Sequence, residues 1–228
     1  MHPNQHGFRQ GKSTDTAIAE LADDIESALY TGQYALTIFC DIAGAFDNLN
    51  IEETLNNMKC RMMPNSLIKW YKAFLERQTI TSTLHGETEE RTLSKGSPQG
   101  DIFSPTFYNV GSEPLVAIVT TRPSSGSLYA DDSRATNKGT NLTRLGNQMQ
   151  NTVDKMVVWA NKYGLKYSLK KTNLMLFTKK QVKPQLPPVL MYGKPLKQVS
   201  SILYLGITVD ERLSFSEHIN NKIEAAST

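Results

Sequence analysis

Apolar residues at Ile18, Leu21, Ile25 and Leu29 recur at helical spacing, which predicts an amphipathic helix capped by Ser13 or Thr14 and ending near Gly32. The run TyrAlaLeuThrIlePheCysAsp (34–41) is short, unbroken and preceded by a glycine turn, so it reads as a buried strand that delivers Asp41 at its carboxyl end. Pro64 in a first helical turn opens a helix through Trp70, Phe74 and Leu75. Thr79–Leu84 and Arg91–Ser94 then read as a hairpin around HisGlyGlu (85–87). Ser104 and Pro105 start a helix toward Val119, with Gly111 and Pro114 expected to kink or shorten it.

Farther along, Ser127–Ala130 and Ser133–Thr136 flank AspAsp as a tight hairpin whose return strand is polar. Asn141 caps a long helix with Leu145, Met149, Val153, Met156, Val157 and Ala160 on one face, closed by Gly164. Lys166–Leu169 and Asn173–Phe177 read as strands, and ProGlnLeuProPro (184–188) as a loop. Ile202–Val209 is read as one more strand before a terminal helix. Non-alternating strands mixed with helices predict an α+β fold, a sheet carrying helices on one face.

Composition narrows this little: 228 residues, 39% hydrophobic and 21% charged, exclude a disordered chain and allow a core without staples. Cys40 and Cys60 are not spaced as a metal box, so both are expected as reduced core thiols in an intracellular, non-secreted protein, nuclear or cytoplasmic. The opening MHPNQHGFRQGKST has no signal-peptide pattern, and no apolar run approaches the roughly 20 residues of a membrane span, so no membrane partner is expected.

Charge distribution changes the picture more. Residues 155–209 hold ten lysines and neither arginine nor acid, whereas residues 1–154 hold 13 basic and 18 acidic side chains. A lysine block beside an acidic one suits a polyanion track next to a carboxylate site, or a solvated basic face. Transfer of a phosphoryl group to a 3′-hydroxyl needs two divalent cations about 3.5–4 Å apart, held by convergent carboxylates. Asp41 at a strand end and Asp131 with Asp132 at a hairpin tip are the candidates, although singly AspAsp is a common turn sequence and Asp41 an ordinary strand-end acid.

Six ordered blocks carry a resemblance to the reverse transcriptase domain of non-LTR (LINE-like) retrotransposons. They are GlnHisGlyPheArgGlnGlyLysSerThr (5–14), PheCysAspIleAlaGlyAlaPheAspAsn (39–48) and LysGlySerProGlnGlyAspIlePheSerPro (95–105). Next come TyrAlaAspAsp (129–132), GlyLeuLysTyrSerLeuLysLysThrAsnLeuMetLeuPhe (164–177) and TyrLeuGlyIleThrValAspGluArgLeuSerPhe (204–215) with His218 and Ile219.

The resemblance implies an RNA-directed DNA polymerase with a right-hand palm, acting on RNA template, DNA primer and dNTPs. Partial fingers would span 1–33, a palm 34–200 with an inserted fingers hairpin at about 76–95, and a primer-grip strand with the start of the thumb 201–228. Asp41 and Asp131 would ligate two Mg²⁺ ions, Mn²⁺ being an alternative, helped by the Ile42 carbonyl, with Asp132 in support. Phe46, five residues after Asp41, matches the aromatic gate that excludes a 2′-hydroxyl, though on its own it reads as core. Gln99 and Gly100 would meet the incoming nucleotide, together with Gly96. Lys171 matches a proton donor to pyrophosphate, with Lys170 as a rival. Arg9 matches a fingers arginine, or makes a structural salt bridge.

The expected departures lie at the ends, where upstream fingers and most of the thumb of a longer polyprotein are missing, and at SerArgAlaThr, a polar return strand expected to weaken the hairpin that presents Asp131. Two alternatives follow: a catalytically silent retroelement remnant, and a group II intron-type reverse transcriptase.

Overall fold

Ser13 caps helix α1, Thr14–Tyr30, in the computed structural model, which describes residues 1–84, 86–92, 94–180 and 185–227. The cap is reciprocal: the Ser13 hydroxyl accepts from the Thr16 N–H, and the Thr16 side chain accepts from the Ser13 N–H. Strand β1, Tyr34–Asp41, follows, then a single turn α2, Ala45–Asn48, and helices α3, Ile51–Cys60, and α4, Asn65–Glu76. Strands β2, Thr79–Leu84, and β3, Glu87–Thr92, form a separate hairpin; α5, Ser104–Thr120, follows. After β4, Ser124–Tyr129, and β5, Asp132–Gly139, come α6, Leu142–Lys162, and β6, Asn173–Phe177. Three two-residue strands succeed: β7 (Leu190–Met191), β8 (Lys194–Pro195) and β9 (Lys197–Gln198). A hairpin of β10, Ser201–Tyr204, and β11, Ile207–Asp210, leads into α7, Ser216–Ser227.

The main sheet runs β4-β5-β1-β6-β9, antiparallel except for its last pair. β1 lies in the middle and is buried on both faces, which explains its unbroken apolar run. Leu36, Ile38, Cys40 and Ile42 point into a core shared with Tyr108 and Leu115 of α5 and Met149, Val153 and Met156 of α6. Ala35 and Phe39 point the other way, onto α1 and onto Tyr204 and Val209. Helices therefore cover both faces of the sheet, not the one expected. A third cluster, Leu55, Met58, Tyr71, Leu75 and Phe107, packs α3, α4 and α5 together.

Several local expectations are corrected. α5 is continuous through Gly111 and Pro114, and Gly111 allows close packing, since a Cβ there would stand 3.1 Å from Leu49. Residues 166–169 form no strand; Tyr167 makes an isolated bridge to Ile42. Residues 202–209 are two strands, because Leu205 and Gly206 turn the chain with positive φ. β3 begins at Glu87, earlier than Arg91; His85 and Leu93 of that expectation, like Pro184 of the proline loop, lie outside the described residues. Pro64 is the N-cap of α4, one residue before its first turn. Cys40 is buried, but Cys60 is exposed. No described helix is long and apolar enough to cross a membrane.

The polar return strand is not weak. Ser133, Arg134, Thr136 and Asn137 are all buried, and the Arg134 side chain is fully so. Its Nη1 lies 2.9 Å from Asp24 Oδ2 and its Nη2 3.2 Å from Glu20 Oε1, both acids of α1, while Lys138 reaches Asp24 at 3.0 Å. Thr136 and Thr37 share a hydrogen bond of 2.9 Å across the ladder. The sequence pattern missed this because the partner acids lie more than one hundred residues upstream.

Candidate active site

β1 and β5 pair so that Asp41 and Asp132 are direct cross-strand partners, and Ala130–Asp131 forms the two-residue turn between β4 and β5. Facing residues of a ladder project to the same side, so the Asp41 and Asp132 carboxyls share a face with Asp131 beside them at the tip. Ala130 holds φ +54, a left-handed conformation that fits the right-handed twist of a two-residue hairpin. Like charges directly opposite in a sheet are destabilising, a cost kept here at one spot.

Burial raises the Asp132 pKa to about 6, with Asp131 and then Asp41 adding to the shift. Asp131 is also raised, by burial first and by Asp41; its own backbone N–H and Lys171 act against the rise. The cation within reach is Lys171, whose Nζ stands 3.1 Å from Asp41 Oδ1. Lys171, not Lys170, therefore contacts the carboxylates. The Asp41 carbonyl accepts from the Ser168 N–H at 2.9 Å, which anchors this end of β1 to the segment that carries the lysine. Among the described residues, no three His, Cys, Asp or Glu side chains are gathered around one metal-sized point.

After β1 the chain turns sharply through α2, placing Phe46 over Tyr108 of α5, with ring centroids 4.8 Å apart and planes 28° apart. Phe8 approaches Phe46 edge-on at 6.3 Å. The glycine-rich segment is strapped onto this turn: the Gly96 N–H donates to the Leu49 carbonyl and the Ser97 N–H to the Phe46 carbonyl, each at 2.8 Å. Lys95 Nζ donates to Asn48 Oδ1 and Gln99 Nε2 to Asp47 Oδ1. Asp101 accepts from the Phe103 N–H, the Ser104 N–H and the Ser104 hydroxyl just ahead of α5. Phe8, Phe46, Gln99, Gly100 and Asp101 line an open cavity of about 460 Å³.

Two groups of expected site residues are thus each brought together: Asp41, Asp131, Asp132 and Lys171 on one side, and Phe46, Gln99 and Gly100 on the other. Tyr108 links them. Its ring lies under Phe46, and burial, followed by the charges of Asp131, Asp132 and Asp41, raises its hydroxyl pKa. Arg9 does not join either group, because its Nη1 donates to the His2 and Gln5 carbonyls. Among the described residues it makes no salt bridge. Phe8 and Tyr108 were missed; Tyr108 reads as a core aromatic on any helix.

Comparison with known proteins agrees with this architecture. The family described as "Reverse transcriptase (RNA-dependent DNA polymerase)" matches residues 1–209. The chain is 28% identical over 222 residues to the "Probable RNA-directed DNA polymerase from transposon BS" of Drosophila melanogaster, covering 95% of this chain and 24% of that protein. It is 27% identical over 230 residues to the RNA-directed DNA polymerase from mobile element jockey of the same organism, covering 98% and 25%. The chain spans about a quarter of the length of these curated relatives. Among solved structures, telomerase from Candida tropicalis in complex with the TWJ fragment of telomeric RNA superposes with a TM-score of 0.67 at 13% identity, covering 94% of this chain and 34% of that one.

Proposed function

The chain belongs to the reverse transcriptase family, and from that premise we propose that it extends a DNA primer on an RNA template, as the catalytic palm of a non-LTR retrotransposon polymerase working inside the cell. The observation that carries the reading is the facing pair Asp41 and Asp132 with Asp131 at the adjoining hairpin tip, a carboxylate cluster whose charge Lys171 only partly offsets.

Such a cluster fits hard divalent cations. Its donors are all oxygens, and the carboxyl pKa values of Asp131 and Asp132 are raised by burial first and by the neighbouring carboxylates after it, two penalties on charge that a bound cation would relieve. Asp41 and Asp131, with the Ile42 carbonyl, would hold two Mg²⁺ ions, or Mn²⁺ in their place, and Asp132 would support them. When bound, these ions lower the charge barrier between the primer 3′-oxygen and the α-phosphate and neutralise the leaving pyrophosphate.

The chain's own residues do the rest. Lys171 gives its proton to the pyrophosphate oxygen as the bond to the α-phosphorus breaks, a role supported by its Nζ standing 3.1 Å from Asp41 Oδ1. Gln99 and Gly100 line the cavity that receives the nucleotide, and Phe46 closes it against a 2′-hydroxyl. We read residues 34–200 as the palm with the hairpin at 76–95 inserted, 1–33 as a part of the fingers, and 201–228 as the primer-grip segment entering the thumb.

The test is primer extension on an RNA template with Mg²⁺ and dNTPs, comparing the chain with Asp131→Ala. Extension abolished in the variant supports the reading. A silent chain that stays silent when joined to the flanking sequence of its longer polypeptide favours the remnant instead.

A further inference from the structure

A steric gate rejects a 2′-hydroxyl only as strictly as its ring resists being pushed aside. The selectivity of Phe46 therefore depends on what stands behind and beside it. One ring face rests on Tyr108, which is fully buried in α5 and has nowhere to retreat. Phe8 meets the same ring in a T-shaped contact, with centroids 6.3 Å apart and planes 85° apart.

Phe8 is unusual on two counts. It is a phenylalanine 54% exposed at the mouth of the cavity, and it holds φ +54, a left-handed conformation costly for a residue with a side chain. The neighbouring anchors maintain that conformation. The Gly7 carbonyl accepts from Asn109 Nδ2 at 2.9 Å, and Gln5 Nε2 donates to Asn109 Oδ1. Gly7 itself lies against the Ala130 backbone nitrogen so closely that a Cβ would collide with it. Asn109 adjoins Tyr108 in α5, so one turn of one helix fixes both supports of Phe46. Strain retained by such anchors at the lip of a site is a mark of use.

We infer that Phe8 and Tyr108, the two rings in contact with Phe46, are positioning residues that brace it and so set how strictly the cavity rejects a ribonucleotide. This rests on the polymerase reading above. Removing one brace frees the Phe46 ring to yield to the extra hydroxyl. An aromatic pair contributes enough to change a selectivity ratio roughly 2- to 12-fold.

The experiment measures kcat/KM for dCTP and for CTP on one RNA template, with competition binding of the two nucleotides as a second readout, for the chain and for Phe8→Ala, Phe8→Leu, Tyr108→Phe, Tyr108→Leu and Phe46→Ala. The dCTP preference is expected to fall about 2- to 12-fold in Phe8→Ala and Tyr108→Leu. Phe8→Leu recovers part of it, and Tyr108→Phe, which keeps the ring, retains it. A preference that collapses in Phe46→Ala but is unchanged in Phe8→Ala and Tyr108→Leu overturns the brace and leaves the polymerase reading standing. If the unaltered chain, alone and joined to flanking polymerase segments, neither incorporates nor binds either nucleotide, the polymerase reading falls and the brace falls with it.

Discussion

A Cβ placed on Gly96 would stand 2.6 Å from the carbonyl oxygen of Phe46 and 2.6 Å from that of Asp47. The glycine-rich segment and the gate turn thus touch backbone to backbone, and no side chain can yield to relieve a substitution. Gly100, with the same sign of φ, has open space where its Cβ would go. Gly96→Ala is expected to cost about 2–4 kcal/mol of unfolding free energy, left-handed strain plus collision, and Gly100→Ala only the strain of about 1–2 kcal/mol. Urea titrations of the two variants check this; equal losses would remove the close approach as a constraint.

Lys171 Nζ lies 3.1 Å from Asp41 Oδ1, an oxygen that a divalent cation held as proposed would have to share. Lys171→Met is therefore expected to bind Mn²⁺ more tightly than the parent chain, by roughly two- to five-fold, because an exposed ion pair contributes only about 0.2–1 kcal/mol. Nucleotide incorporation is expected to slow at the same time, since the proton donor is gone. Electron paramagnetic resonance of free Mn²⁺ reads the first effect, and weaker binding in the variant would contradict it.

Arg134 is buried against Asp24 and Glu20, and Arg134 and Lys138 hold the Asp24 carboxyl below the ordinary range although burial opposes its charge. Arg134→Met leaves two acids without their main partner and is expected to destabilise the chain by about 3–5 kcal/mol. Adding Glu20→Gln and Asp24→Asn to the same chain should recover most of that loss. Chemical denaturation of the single and triple variants decides it; no recovery would mean that packing, not charge, makes Arg134 important.

Asp132 carries a pH signature. Its folded pKa of about 6 stands above its ordinary value of 3.8, so the fold favours the neutral acid. The resulting penalty is absent below about pH 4 and grows as the pH rises between the two values. It is complete above about pH 6. In metal-free protein Asp132→Asn is expected to raise stability by roughly 1–3 kcal/mol at neutral pH, with the gain vanishing toward pH 4. Thermal melts across that range measure it; a gain independent of pH would show that charge is not its cause.

What was legible in the sequence followed from local rules. α1, β1, α6 and the hairpin carrying Asp131 announce themselves by periodicity, caps and turn chemistry within a few residues. What escaped depended on distant partners. The return strand looked too polar because Arg134 finds its acids in α1, and α3 was passed over although Asn50 caps it and Glu52 and Glu53 fill its first turn. Placing helices on one face failed because a strand buried on both sides does not reveal what covers each side. Within the site, the carboxylates, Phe46 and Gln99 were readable as motif positions, whereas Phe8 and Tyr108 acquire their role only where three segments meet.

The opening segment has one more consequence. Asn4 and His6 take up the outward-facing groups of β4: the Leu128 N–H donates to the Asn4 carbonyl at 3.0 Å, the His6 N–H to the Leu128 carbonyl at 2.8 Å, and Asn4 Nδ2 to the Gly126 carbonyl at 2.9 Å. At the opposite margin, β9 is only two residues long. The sheet that carries the carboxylates thus has one rim sealed and the other cut short, leaving little template for another strand to add. At the margin formed by β4, a neighbouring part of a longer polypeptide or a second copy would meet backbone groups that are already taken up.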